Sequence, residues 1–181
     1  VRFFTEGVLV VGIPESSQSP AYAAGIRVND VIIKVGGAKI SDAEGLSRAV
    51  NSSEGKPIEF ICRRGDREFK ANVTPRLEES GYKTGIWVRD SGAGIGTVTF
   101  IDPKTGLFGG LGHGICDADT GKPMPLGRGV LLGVNIGGIT KGAAGDPGEI
   151  RGSFRQEKLG AVTDNTDRGI FGIYSKIPRS L

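Results

Sequence analysis

The sequence predicts a mainly β chain in two parts, a small α+β unit followed by an antiparallel β domain of barrel or sandwich type. Three observations predict it. Strand-like and helix-like runs alternate as far as about residue 75. Beyond residue 85 only short β-like runs remain, separated by glycine-bearing turns. Of the 31 glycines, eight lie in residues 1–80 and 23 in residues 81–181, so the two parts are built differently. The 181 residues suit one large domain or two small ones.

The elements follow in order. Gly7 to Ile13 is rich in β-branched residues and reads as a strand. After a polar loop, Pro14 to Ser19, the segment Pro20 to Ala24 reads as a short helix. Pro20 suits its first turn and Gly25 its left-handed stop. Val31 to Val35 is the next strand, closed by Gly36-Gly37. Ser41-Asp42-Ala43-Glu44 has capping-box spacing, and Leu46, Ala49 and Val50 carry an apolar stripe through a helix from Asp42 to Ser52. Ile58 to Arg63 and Glu68 to Val73 flank a hairpin turn. Pro75 to Tyr82 is polar and marks the junction: residues 1–76 form the first domain, 77–84 a linker, and 85–181 the second domain. In that second part Ile86 to Arg89, Thr97 to Ile101, Leu107 to Gly112, Val130 to Val134, Leu159 to Val162 and Gly169 to Ile173 read as strands. Glycine within strands marks bulges and tight corners of strongly coiled sheets.

Composition removes several classes. Nine prolines and no Gly-X-Y period exclude collagen, and 38% apolar residues are too many for a disordered linker. The longest apolar stretch, Val8 to Ile13, is far short of the ~20 residues of a membrane-spanning helix. A net charge of +3 without a clustered basic run argues against nucleic acid as a partner. Cys62 and Cys116 form no disulfide framework and read as two buried thiols. No signal-peptide pattern opens the chain, yet Val1 is not a natural start, so upstream sequence is expected to have been removed.

Ser19-Pro20-Ala21, Ala24-Gly25-Ile26, Asn29-Asp30-Val31-Ile32 and Gly36-Gly37 together resemble the bacterial PDZ domain, a small β-sandwich with two helices, over residues 1–75. Small alanines let the short helix sit close to the sheet, and Asp30 can fix its turn by accepting from nearby amides. The resemblance implies a partner, an extended peptide or protein terminus added as a strand. The carboxylate-binding loop would be Phe4 to Leu9, with Glu6, Gly7, Val8 and Leu9 as the peptide-binding residues. Leu9 would line the terminal pocket and the helix from Asp42 would form the opposite wall. Glu6 beside that loop would repel a carboxylate, and the bland reading of Gly7 to Ile13 is a core strand alone.

The single histidine, His113, lies in Gly109-Gly110-Leu111-Gly112-His113-Gly114-Ile115-Cys116-Asp117-Ala118-Asp119. A lone histidine is by default a surface or satisfied core residue. Glycines on both sides leave this imidazole unshielded at the end of a strand, which suits a general base. His113-x-x-Cys116 with Asp117 and Asp119 offers zinc-compatible donors, but structural zinc normally draws on two separated pairs, so neither metal nor other cofactor is expected. A cysteine nucleophile at Cys116 sits too close in sequence to fold back on His113. No helix pattern follows Gly92-x-Gly94-x-Gly96 to hold a phosphate.

Arg89 to Phe100, the Gly-Leu-Gly-His-Gly stretch and Gly145-Asp146-Pro147-Gly148-Glu149 are similar to the stage IV sporulation protein B peptidase. That family joins a PDZ domain to a serine peptidase domain related to the trypsin-like double barrel. The resemblance implies that His113 is the catalytic histidine of a serine endopeptidase acting in sporulation signalling. It also implies PDZ-guided cleavage of a membrane-associated regulator in the space between the membranes around the forespore, and a membrane anchor upstream of Val1. The family's Gly-x-Ser-Gly-Ser-Pro type nucleophile segment does not occur in the 68 residues after His113. The chain therefore reads as an inactive fragment, with serine and aspartate expected downstream. Asp90-Ser91-Gly92 precedes the histidine, and Ser91 reads as a turn serine. Asp117 and Asp119 read as turn formers, and Ser153, Ser175 and Ser180 as surface residues. The competing reading is a non-catalytic PDZ scaffold that only binds partners.

Overall fold

A computed structural model describes residues 1–14, 19–145 and 148–175. The rest of the expected polar loop, Glu15 to Gln18, together with Asp146, Pro147 and Ser180, lies outside the described residues. The chain divides into two compact units. The first comprises Thr5–Asp90 and Cys116–Gly127; the second comprises Val1–Phe4, Ser91–Ile115 and the chain from Arg128 onward.

In the first unit, β1 (Arg2–Gly12, shared with the second unit), α1 (Pro20–Ala23), β2 (Val31–Val35), β3 (Ala38–Lys39), α2 (Ala43–Asn51), β4 (Ile58–Arg64) and β5 (Arg67–Val73) follow one another. The antiparallel ladder runs β5-β4-β2-β1, with β3 added to β2. Its inner faces and the two helices bury Val8, Val10, Ile26, Ile32, Val35, Ile40, Leu46, Val50, Phe60 and Val73. Complete burial of one such side chain stabilises by roughly 1.5–3 kcal/mol. Pro20 opens α1, as the sequence predicts, and Ser19, expected only as the end of the polar loop, caps it. The cap of α2 is Asp42 rather than Ser41: its carboxylate accepts from Gly45 N at 2.7 Å, while the Ser41 hydroxyl donates to Asp42. Buried Asp30 accepts from Arg27 N at 2.7 Å and from Arg64 Nε and Nη2 at 2.7 and 2.8 Å, which pins the turn before β2.

Residues 77–84 are not a free linker. They fold as a hairpin of β6 (Arg76–Glu78) and β7 (Gly81–Lys83). Tyr82 N donates to the Asn51 side chain at the end of α2, and Ala21 N donates to Thr84 O. Next comes β8 (Trp87–Ala93), which pairs with β1. Ile86 and Val88 pack on the first unit's core, and that unit extends to Asp90.

The second unit contains β9 (Val98–Ile101), β10 (Leu107–Gly110), β11 (Arg128–Thr140), β12 (Glu149–Thr166) and β13 (Gly169–Tyr174). All pairings are antiparallel, in the order β11-β12-β13-β10-β9, with Arg2–Phe4 of β1 laid on β11. The mainly β expectation holds. Among the described residues no ladder joins β9 back to β8, so backbone pairing does not close the expected barrel. Phe3, Phe108, Leu131, Val162 and Ile170 are buried, and Val1, Val98, Phe108, Leu131, Leu159 and Ile170 help line an apolar cavity of about 190 Å³. Phe108 lies directly across from Gly172. A Cβ on Gly172 would overlap the Ala161 carbonyl and come within 2.8 Å of the Phe108 ring, so glycine lets these strands close on one another. The outer part of the β11–β12 hairpin leaves Ile136, Ile139 and Ile150 exposed.

Candidate active site

The four residues expected to bind a peptide terminus lie within a continuous strand, which corrects the expectation of a loop from Phe4 to Leu9. Val8 pairs with Ile32 and Leu9 with Val31, and both side chains are buried. Gly7 has φ +81° beside the Ile32 carbonyl, and its own carbonyl accepts from Thr5 Oγ1 at 2.6 Å. The charge of Glu6 is met by Arg63 Nη1 at 3.1 Å.

On its other side β1 is flanked by β8. Thr5 Oγ1 donates to Asp90 O at 3.1 Å, and the Trp87 ring lies against Gly12. The Asp90 carboxylate accepts from Ala43 N at 3.0 Å, where α2 begins. The helix expected to wall the peptide groove does line a cavity, of about 440 Å³, through Leu46, Ser47 and Val50; the facing wall is Tyr82, Ile86 and Trp87. Leu9 borders a separate cleft with Asn29, Val31, Arg63 and Lys122.

His113 lies in the second unit, on an exposed stretch after β10. Its Nδ1 is 2.9 Å from the carbonyl oxygen of Gly114. A carbonyl can only accept, so in the neutral ring the proton sits on Nδ1 and Nε2 keeps its lone pair. The stretch is held from β12. Asn165 Nδ2 donates to Ile115 O at 2.9 Å, and Ile115 N donates to Asn165 Oδ1 at 2.7 Å. A Cβ on Gly114 would overlap the Thr166 carbonyl oxygen, so residue 114 must be glycine for the loop to approach β12 this closely. Sequence reasoning missed Asn165, because Thr163-Asp164-Asn165-Thr166-Asp167 has the composition of a turn. The one available signal was an amide side chain inside what proves to be a strand.

The nearby carboxylates serve their own turn. Asp117 Oδ1 accepts from Asp119 N and Thr120 N at 3.1 and 2.9 Å, and Gly121 N donates to Asp117 O. Arg89 pairs with both Asp117 and Asp119. Burial alone would raise the Asp117 pKa; hydrogen bonds from Thr120 and the Arg89 charge outweigh it, so this carboxyl titrates below its ordinary 3.8. Ser91 is a residue of β8 rather than of a turn. Ser153 and Ser175 are exposed. Cys62 is buried, and burial pushes its thiol up to about 12; Cys116 is exposed, not buried, and among the described residues neither is in a disulfide. Among the described residues no three His, Cys, Asp or Glu side chains gather as a metal site.

A family model described as SpoIVB peptidase S55 matches residues 80–180, more than half of the chain and the part that carries His113 and Asn165. The chain belongs to the SpoIVB peptidase S55 family. A PDZ domain model matches residues 15–64, so this S55 chain joins a PDZ domain to a peptidase-family segment. Serine protease HTRA1 of Xenopus tropicalis is 33% identical over 73 residues, 40% of the S55 chain and 15% of that protein. A protein named "Putative zinc metalloprotease" from Bartonella henselae is 32% identical over 104 residues, 56% of the chain and 28% of that protein. The S55 chain thus spans between 15% and 28% of the length of these two relatives. Among solved structures, the PDZ domain of the SdrC-like protein from Listeria monocytogenes has a TM-score of 0.40 and 19% identity, covering 46% of the S55 chain and 87% of that structure.

Proposed function

We propose that this S55 chain is the PDZ and histidine-bearing part of a serine endopeptidase of bacterial sporulation signalling. The observation that carries the reading is His113: an exposed imidazole in the S55 segment with Nδ1 tied to a backbone carbonyl and Nε2 left to accept a proton. In the proposed reaction Nε2 removes the proton of a serine hydroxyl as its oxygen attacks the scissile carbonyl. The imidazolium then returns that proton to the leaving amine as the peptide bond breaks. The serine and the orienting aspartate come from residues outside these 181. The PDZ domain binds peptide, and its proposed role is to present a membrane-associated regulatory protein for cleavage. The setting is the space between the membranes around the forespore, with the enzyme held by an anchor ahead of Val1.

The test is His113→Ala in the full reading frame. Cleavage of a peptide substrate should fall by about 10³-fold or more, with binding of peptide to the PDZ domain unchanged. Persistence of cleavage at the unmodified rate would remove His113 from the chemistry and leave the binding scaffold as the reading.

A further inference from the structure

We propose that residues 86–90 are a built-in ligand of their own PDZ domain. The partner that takes their place is an extended internal segment of the same pattern: apolar, any, apolar, any, acidic. The inference rests on the reading of that domain as the part that presents the substrate, and it names the chemistry recognised.

A strand laid on a sheet edge beside a helix gains backbone pairing from the sheet, and its alternate side chains meet the pockets alongside. β8 has both. It pairs with β1, and Thr5 Oγ1 donates to Asp90 O at 3.1 Å. Ile86 and Val88 pack on the apolar core, and both border the cavity lined on its far side by Leu46 and Val50 of α2. Two residues on, the Asp90 carboxylate accepts from Ala43 N at 3.0 Å. Ala43 opens α2, and the cap Asp42 already accepts from Gly45 N. Asp90 therefore satisfies another of the amides that a helix start leaves without intrahelical partners. Arg89, between the alternating positions, pairs instead with Asp117 and Asp119. The groove thus reads residues 86, 88 and 90.

This arrangement does not use a chain end. The stretch expected to cup a terminal carboxylate is part of β1, and β8 continues past Asp90 to Ala93. The carboxylate that reaches Ala43 belongs to a side chain. A partner therefore enters by the middle of its chain.

The resident segment also leaves room. The cavity of about 440 Å³ lies between α2 and residues 82–88. A partner with a larger apolar side chain at the place of Ile86 or Val88 fills part of it, and so buries apolar surface that the resident does not. That is its advantage over a strand already in place.

The probe is a fluorescein-labelled peptide with the sequence of residues 84–92 and an amidated C-terminus. Its binding to the whole 181-residue chain is read by polarisation. Val88→Ser weakens the resident at its apolar contact, and that chain should bind the probe about 10-fold tighter than the parent, or more. Asp90→Ala should bind it about fivefold tighter, the usual worth of one acceptor at a helix start. This second variant leaves the apolar contacts intact, so it decides the matter where the serine variant loses its dispersed amide spectrum. Alanine in place of the probe's own aspartate should weaken binding by a similar factor, and phenylalanine in place of its valine should strengthen it. The amide signals that move should be those of β1 and α2.

Equal binding to the parent and both variants would overturn the proposal, as would no binding to any of them. So would a free-acid form of the probe that binds about 10-fold tighter than the amide. That last result leaves the proposed function standing, with the domain as a reader of chain ends. Conversely, cleavage that persists in His113→Ala removes the base without touching the groove, so the two readings fail separately.

Discussion

Phe60, Ile32 and Val35 fill the core of the first unit with side-chain volume, each almost wholly buried among other apolar residues. The second unit reaches close packing differently. Gly172 stands opposite Phe108, and Gly160 stands so near the Ile173 carbonyl that no Cβ would fit. One core is sensitive to what is taken away and the other to what is added. The same contrast separates their polar anchors. In the first unit Asp30 pins a turn with charge, against the Arg64 guanidinium. In the second Asn165 pins the His113 stretch with a neutral amide that imitates a strand neighbour.

The contrast can be broken by experiment, and its largest expected effect is in the first unit. Phe60→Ala should cost about 3–5 kcal/mol, read as a lowered midpoint in denaturant with no methyl-sized substitution of comparable effect. The converse test is Gly172→Ala, a gain of one methyl. It should destabilise the second unit by about 1–3 kcal/mol, followed by loss of amide-exchange protection across β12 and β13. A Gly172→Ala chain as stable as its parent would end the claim that backbone proximity shapes this core.

The smallest effect concerns the charged turn at Asp117. Its pKa is lowered in the folded state, so its ionised form contributes stability that is fully present above the ordinary carboxylate value of 3.8 and is lost as pH falls through the lower, folded value. Denaturation of the parent and of Asp117→Asn, measured across the acid range, should show a gap that is widest above that value and closes below it. A gap that widens with acid would mean the sign is wrong.

Much of the first unit was legible because its determinants are local. Pro20, Gly25 and Gly36-Gly37 sit at element ends, and β2 runs over the predicted residues. The misses come from long-range pairing. β1 begins at Arg2 rather than Gly7 because Arg2, Phe3 and Phe4 pair with Val130, Gly129 and Arg128, which no local pattern announces. The β11–β12 hairpin extends far past Val134 and Leu159 through polar and glycine-rich residues that lack strand alternation. At the candidate site, glycines on either side of His113 drew attention to it. Asn165 stayed hidden because its partner, Ile115, is 50 residues away. The residues expected to form a carboxylate loop were misplaced for the reverse reason: Val8 and Leu9 are apolar because both are buried in a paired strand.

The pairing of β8 with β1 has a kinetic meaning for peptide binding. Residues 87–90 are covalently joined to the unit whose strand they cover, so they present themselves to β1 at an effective concentration on the order of millimolar, as short tethers do. A free peptide contesting that edge enters an exchange rather than a vacancy. Its apparent affinity is its intrinsic affinity divided by how well the tethered strand holds its place, and its arrival is timed by how often that strand lifts away.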